Sequence, residues 1–254
     1  MPKISAVIIT FNEELFIDKC LASIIGIADE IVVVDSFSTD ATEEICKKYD
    51  VRFLKHEFEG YRDQKNFALR LATYKNILSL DADEALSDRL RESILAIKDK
   101  WEYDGYLFNR RNNFCGKWIR HSQWYPDRQL RLFYSDKGQF GELNLHEKFI
   151  MSNGAKVGKL KGDLLHWPFS SHQDHLDKMS EYSLIGAGEF HKAGRKASLF
   201  TPYIHLIWGF FRSYIIRGGF LDGYDGFLIC SLYAKSAFNK YRKLRQLNKN
   251  GVSR

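Results

Sequence analysis

The chain has 254 residues, of which 44% are hydrophobic, 28% charged and 15% aromatic, with a formal net charge of +6. That balance belongs to a folded protein and excludes a disordered chain, while four scattered cysteines without close pairs exclude a zinc module and fit a reducing cytoplasm. The charge is uneven: from Arg195 to Arg254, 11 Lys and Arg stand against Asp222 and Asp225, so the tail carries +9 and the preceding 194 residues −3.

The first run, ISAVIIT from Ile4 to Thr10, is apolar and β-branched, but Asn12, Glu13 and Glu14 follow at once and no small-residue cleavage site appears. It predicts a strand rather than a signal peptide. Glu13 to Ile25 then sets Leu15, Cys20, Leu21 and Ile24 at helical spacing. IVVVD, Ile31 to Asp35, predicts a second strand, and SFSTDATEEICKKY a helix with Ser and Thr first, acids early and lysines late. Val51 to Lys55, Tyr61 to Ala72 and Asn76 to Leu80 predict a third strand, a third helix and a fourth strand. Such alternation gives a mainly parallel sheet covered on both faces, whose ligands bind beyond the carboxyl ends of the strands. Three of those ends are polar: Thr10 to Glu14, Asp35 to Asp40, and Asp81 to Glu84.

After Asp104 the aromatic-rich segments GYLFNRRNNF, YPDRQLRLFY and KVGKLKGDLLHW predict an antiparallel extension, and helical spacing returns from Gln173 to Lys192 and into the tail. Leu199 to Phe220, LFTPYIHLIWGFFRSYIIRGGF, is interrupted by Arg212 and Arg217 and falls short of the roughly 18 to 20 apolar residues of a spanning helix. With KYRKLRQLNK after it, this segment fits a helix lying on an anionic membrane surface. An oligomer interface or a helix packed on the main domain is the plainer alternative.

Nucleotide and protease motifs fail on spacing. No GxGxxG follows the first strand, GAKVGKL lacks the length and the Ser or Thr of a P-loop, and HEKFI lacks the second histidine of HExxH. What remains is LSLDADEALS, where an apolar strand ends in Asp81, Asp83 and Glu84. Crowded carboxylates repel and are costly to desolvate without a positive partner. Asp81 and Asp83, two apart in an extended segment, are expected to face one place, where Mg²⁺ or Mn²⁺ would join them to the phosphate oxygens of a diphosphate. A solvated loop is the alternative for this pair, and a helix N-cap for Asp35.

ISAVIITFNEE, ADEIVVVDSFSTDAT, YRDQKNFAL and LSLDADE, in this order and spacing, resemble the family 2 glycosyltransferases of the GT-A fold. PDRQLRLF, NLHEKF and GGFLDGYDGF are similar to the branch that includes the bacterial lipopolysaccharide inner-core β-1,4-glucosyltransferases. The resemblance covers essentially the whole chain. It implies an α/β fold of GT-A type, a Rossmann-like, mixed but mainly parallel sheet flanked by helices, over residues 1–195, with a nucleotide-sugar half at about 1–100 and an acceptor half at about 101–195. A helical, basic and aromatic extension over 196–254 would be the membrane-surface segment.

The same resemblance implies roles for individual residues. Thr10, Phe11 and Glu14 would line the nucleoside pocket, Asp35 would accept hydrogen bonds from base or ribose, and Gln64 would reach the nucleotide. Asp83 would ligate the metal, Asp81 would be shared between metal and ribose, and Glu84 is undecided. His166 would complete the coordination, with a structural histidine as the alternative. Arg128 and Arg131, expected to share one strand face, would clamp phosphate, and Trp118, Trp124, Tyr125 and Trp167 would stack on sugars or fill the core. The acceptor base would be Glu147 in NLHEKF, with His146 as its rival. The implied reaction is inverting and metal-dependent: a hexose, glucose from UDP-glucose, passes to the inner-core heptose of a lipid-linked saccharide at the cytoplasmic face of the bacterial inner membrane. An anionic membrane surface is then a partner and nucleic acid is not. The alternatives are another glycolipid or a peptide as acceptor, or a catalytically silent nucleotide- and membrane-binding module.

Overall fold

The computed structural model describes residues 2–141, 148–169 and 171–250. The chain divides into two compact units, Met1–Arg111 with Asp127–Trp167, and Asn112–Pro126 with Pro168–Arg254.

In the first unit, β1 (Ile4–Thr10), β2 (Glu30–Asp35), β3 (Arg52–Lys55) and β4 (Asn76–Asp81) pair in parallel, in the order β3-β2-β1-β4. The sheet continues from β4 through β8 (Asp127–Tyr134), β6 (Gly105–Phe114), β11 (Val157–His166) and β5 (Glu84–Leu86), with antiparallel pairing of β4 to β8, β8 to β6 and β11 to β5, while β7 (Lys117–Trp118) pairs with the end of β6, and β9 (Gly138–Gly141) with β10 (Lys148–Met151). Unbroken apolar sequence is what a strand covered on both faces needs, and the side chains alternate accordingly. Ile4, Ala6, Ile8, Val33, Leu78 and Leu80 enter one core, and Val7, Val32, Val34 and Ile77 the other.

α1 (Ile17–Ile24) and α4 (Asp88–Lys98) pack in the first core through Leu21, Leu90 and Ile94, and α3 (Tyr61–Leu71) supplies Ala68 to the second. Gly162 of β11 has φ +99°, and a Cβ there would lie 2.4 Å from the Leu90 backbone nitrogen, so only glycine lets the strand meet the start of α4.

Two boundaries and one helix differ from the sequence reading. α1 starts at Ile17 rather than Glu13, and the amides of Glu13 and Glu14 donate to Thr42 Oγ1 (2.8 Å) and Asp40 Oδ2 (3.1 Å) in a loop that precedes the helix. α2 spans only Thr42–Cys46 with Ala41 at its N-cap, so Asp35 is not a helix cap. Helix α4 was not anticipated, although Leu90, Ile94 and Ile97 in DRLRESILAIK carry the helical period.

The second unit contains α5 (His172–Lys192), α6 (Thr201–Phe211), a π-helical turn over Arg212–Ile216 and α7 (Gly223–Asn250). GGFLDGYDGF forms the corner before α7 and the first turn of that helix. A Cβ on Gly226 would fall 1.9 Å from the Gly219 carbonyl oxygen, and Asp222 accepts from the amides of Arg120 and His121 at 3.3 and 2.9 Å. This motif is therefore built for a close backbone approach and a pinned loop.

On α5, His175 is 1% exposed among the rings of Phe114, Trp124 and Phe169. Burial, aided by His172, lowers its pKa from 6.5 to about 4. Above pH 6.5 the ring is neutral folded or unfolded. As pH falls from 6.5 towards 4 the unfolded chain takes up a proton that the folded chain refuses, so stability drops, by about 3 kcal/mol in full, and levels off below 4. Denaturant unfolding of the parent and His175→Gln between pH 7 and 4 is expected to show this extra acid loss in the parent alone. Parallel pH curves would show that the ring is protonated in the folded state.

Candidate active site at the strand ends

Because β1, β2 and β4 are parallel and in register (Thr10 beside Asp35, Ile9 beside Asp81), their polar ends lie along one edge of the sheet. β4 ends at Asp81, residues 82 and 83 turn, and β5 starts at Glu84. The last residue of β11, His166, pairs with Glu84 in antiparallel register. That register brings His166 to the turn, with its Nε2 3.2 Å from Asp83 Oδ2. The Trp167 amide donates to the Asp83 carbonyl oxygen at 3.0 Å, which fixes the turn from the same strand end.

Asp81 has different company. Lys65 Nζ stands 2.8 Å from its Oδ1, and Arg131 Nη2 donates to its Oδ2 at 2.5 Å and to Glu84 Oε1 at 2.6 Å. Arg110 Nη1 lies 3.3 Å from Glu84 Oε1, and Arg110 Nη2 2.7 Å from Asp127 Oδ2. The result is an alternating row of charges, Lys65, Asp81, Arg131, Glu84, Arg110, Asp127, in which Lys65, Glu84 and Arg131 are buried. Burial by itself would raise the pKa of Asp81, yet Arg131 and Lys65 overcome it and hold the carboxyl far below the ordinary carboxylate range. For Arg131, burial opposes the charge, and Asp81 and Glu84 outweigh it and raise the pKa.

The crowding of acids in LSLDADEALS is therefore met mainly from within the chain. Glu84, undecided from sequence, is a fully buried ion-pair partner. The alternation of side chains that was expected to aim Asp81 and Asp83 at one place stops at Asp81, since Asp83 sits in the turn, and the two carboxylates meet different partners. Arg131 spends Nη2 on Asp81 and Glu84. Arg128 is exposed and pairs with Asn109, and a β-bulge at Arg131, between Leu130 opposite Leu107 and Leu132 opposite Tyr106, interrupts the alternation, so the expected shared strand face does not follow from their spacing and Arg131 rather than Arg128 enters the row of buried charges.

The loops after β1 and β2 are latched to each other. Asn12 donates its amide to Ser38 Oγ at 2.8 Å and accepts from Thr39 N through Oδ1 at 2.8 Å, while Glu14 Oε2 accepts from Ala41 N at 3.0 Å. Asn12 (φ 53°) and Phe37 (φ 61°) occupy the left-handed region, which asparagine tolerates but which is strained for the bulky Phe37. Asp35 is fully buried and receives the Ser38 amide at 2.9 Å and the Ser38 hydroxyl. Gln64, expected at the nucleotide, is 1% exposed and uses both ends of its amide, with His56 Nδ1 2.9 Å from Oε1 and Nε2 donating to Ser36 Oγ at 3.0 Å. It holds the loop that follows β2. Phe11 projects at the rim, 56% exposed, beside the buried Thr10.

No three His, Cys, Asp or Glu side chains converge as a ready metal cage among the described residues. Asp83 Oδ2 and His166 Nε2 do fit a divalent cation that takes the rest of its shell from a ligand. Neighbouring corners of an octahedron with bonds of about 2.1 Å are about 3 Å apart, close to their spacing. Asp81, tied to two cations, is the weaker donor. Glu147 and His146 lie outside the described residues.

A family profile described as Glycosyl transferase family 2 matches residues 5–154, more than half of the chain. The chain belongs to glycosyl transferase family 2. This glycosyltransferase is 30% identical over 258 residues to an uncharacterized glycosyltransferase of Rickettsia typhi, covering 98% of this chain and 88% of the relative. It is also 30% identical over 258 residues to the lipopolysaccharide core biosynthesis glycosyltransferase LpsC of Rhizobium meliloti, covering 95% and 94%. Among solved structures, the mannosyltransferase PcManGT of Pyrobaculum calidifontis, in complex with GDP-Man and Mn²⁺, aligns with a TM-score of 0.54 at 16% identity, over 96% of this chain and 87% of that one. The glycosyltransferase thus has the GT-A fold expected from its sequence.

Proposed function

We propose that this glycosyltransferase is inverting and metal-dependent, and that it moves glucose from UDP-glucose to the inner-core heptose of lipopolysaccharide or lipooligosaccharide at the cytoplasmic surface of a bacterial inner membrane. The observation that carries the metal dependence is the Asp83 and His166 pair, a carboxylate oxygen and an imidazole nitrogen at adjacent-ligand spacing beside the loops after β1 and β2. The acceptor class is supported by the near full-length likeness to LpsC.

Asp83 and His166 would hold Mg²⁺ or Mn²⁺, which when bound offsets the charge of the departing diphosphate. Exposed Phe11 would stack on the base, with Thr10, Asp35 and the latched loop around Glu14 forming the floor and wall of the nucleoside pocket. Gln64 would act through Ser36, and Asp81 and Arg131 would fix the β4 end beside Asp83. On the acceptor side Glu147, with His146 as the competing assignment, would remove the hydroxyl proton as that oxygen attacks the anomeric carbon.

The test is a screen of labelled nucleotide sugars with a core-truncated lipopolysaccharide acceptor, in Mn²⁺, in Mg²⁺ and after chelation. Transfer from UDP-glucose that requires a divalent cation and is lost in Glu147→Gln is the expected result. Transfer that survives chelation undiminished would remove the metal from the proposal, and a different productive donor or acceptor would replace glucose or heptose.

A further inference from the structure

We propose that one face of α6, continuing into the π-helical turn, is the surface on which the chain rests against an anionic bilayer. In purpose this rests on the lipid-linked acceptor proposed above, but its physical basis is separate and lies wholly in the second unit.

On the inner side of α6, Gly209 lies against Ala234 and Tyr233 of α7, His205 stacks on Tyr241 at 3.9 Å, and Phe210 meets Phe227 at 5.9 Å. The opposite side carries Phe200, Ile204, Ile207, Trp208, Phe211 and Ile215, spaced by three and four residues and each 46 to 70% exposed. Residues at that spacing share one helix face, so these are a continuous stripe rather than scattered surface apolars. Its edge carries exposed Arg212 and Arg217, with Arg195 and Lys196 ahead of the helix, all exposed. From Arg195 to Leu221 the sequence contains no Asp or Glu.

Charge decides between the occupants of such a face. If a second copy covered it through a two-fold axis, the same stripe would meet itself and the cations of one copy would face those of the other. The nearest acids downstream are not available to pair with them, since Asp222 receives the loop amides of Arg120 and His121 and Asp225 lies 3.1 Å from Lys117. An anionic lipid surface answers both features at once, with phosphate for the cations and the acyl boundary for the aromatic and aliphatic side chains. No helix among the described residues is long and apolar enough to cross a membrane, so the helix would lie in the headgroup plane.

The measurement is partition of the full chain onto phosphatidylcholine vesicles with and without phosphatidylglycerol, alongside its oligomeric state without lipid. Binding is expected to need the anionic lipid. It should fall about tenfold or more in Ile207→Glu with Phe211→Glu, and about fivefold for each of Arg212→Gln and Arg217→Gln, which corresponds to about 1 kcal/mol per cation. A blue shift of tryptophan emission on binding should disappear in Trp208→Phe, whose binding is otherwise retained. Equal binding of parent and Glu variants, or none at all, overturns the proposal. So does a lipid-free dimer that the Glu substitutions dissociate, which would make the face an interface between copies. Glycosyl transfer to a detergent-dispersed acceptor by the same samples keeps the two readings apart: intact transfer without vesicle binding removes the membrane face alone, and vesicle binding without transfer leaves it standing.

Discussion

Asp83→Asn is expected to lower kcat by about a hundredfold or more at saturating donor, with a matching loss of divalent-cation response, while the fold holds. The carboxylate is 22% exposed and pairs with the His166 side chain, so the structural cost of neutralising it is that of a partly exposed pair, within about 1 kcal/mol. His166→Ala should shift the cation concentration needed for half-maximal rate in the same direction, since both atoms would hold the same ion. Steady-state rates across a Mn²⁺ titration, with thermal unfolding of the same samples, check both halves. Unchanged turnover and an unchanged metal response in Asp83→Asn would exclude the carboxylate from the metal site.

Arg131→Met has the opposite signature, a large loss of stability. Among the described residues, the substitution leaves Glu84 buried beside the more distant Arg110 and the Asp81 amide, and leaves Asp81 beside Lys65. Breaking a buried ion pair by removing one partner costs about 3 to 5 kcal/mol, and the surviving contacts place this case near the lower end. A second change, Glu84→Gln, removes the stranded charge and is expected to recover part of the loss. Denaturant midpoints of parent, single and double variants measure this, and a loss below about 1 kcal/mol in the single variant would mean that the charge row contributes little.

The parallel half of the fold was legible because its strands are covered on both faces and therefore read as uninterrupted apolar runs. Strand ends such as Asp35 and Asp81 were legible for the same reason, being polar where the apolar pattern stops. What local patterns could not supply was the identity of partners distant in sequence. Glu84 had no role until Arg131 and Arg110 came from strands β8 and β6, and Lys65, on α3, was read only as part of a family motif. Gln64 carries a side chain suited to a nucleotide, and only the fold shows it closed between His56 and Ser36. The loop before α1 is tied down by Thr42 and Asp40, partners beyond the reach of a helical period. Glu147 and His146 lie outside the described residues, so their roles rest on sequence.

His166 reaches Asp83 only because β11 runs alongside β5 with Leu165 opposite Ala85 and His166 opposite Glu84. Successive side chains on a strand point to opposite faces, so a slip of one residue would turn the imidazole away and offer Leu165 or Trp167 in its place. The spacing between a carboxylate at residue 83 and an imidazole at residue 166 is thus a property of strand alignment rather than of either side chain. Gly162, four residues upstream and seated against the backbone of α4, acts as the pawl that keeps this ratchet on its tooth.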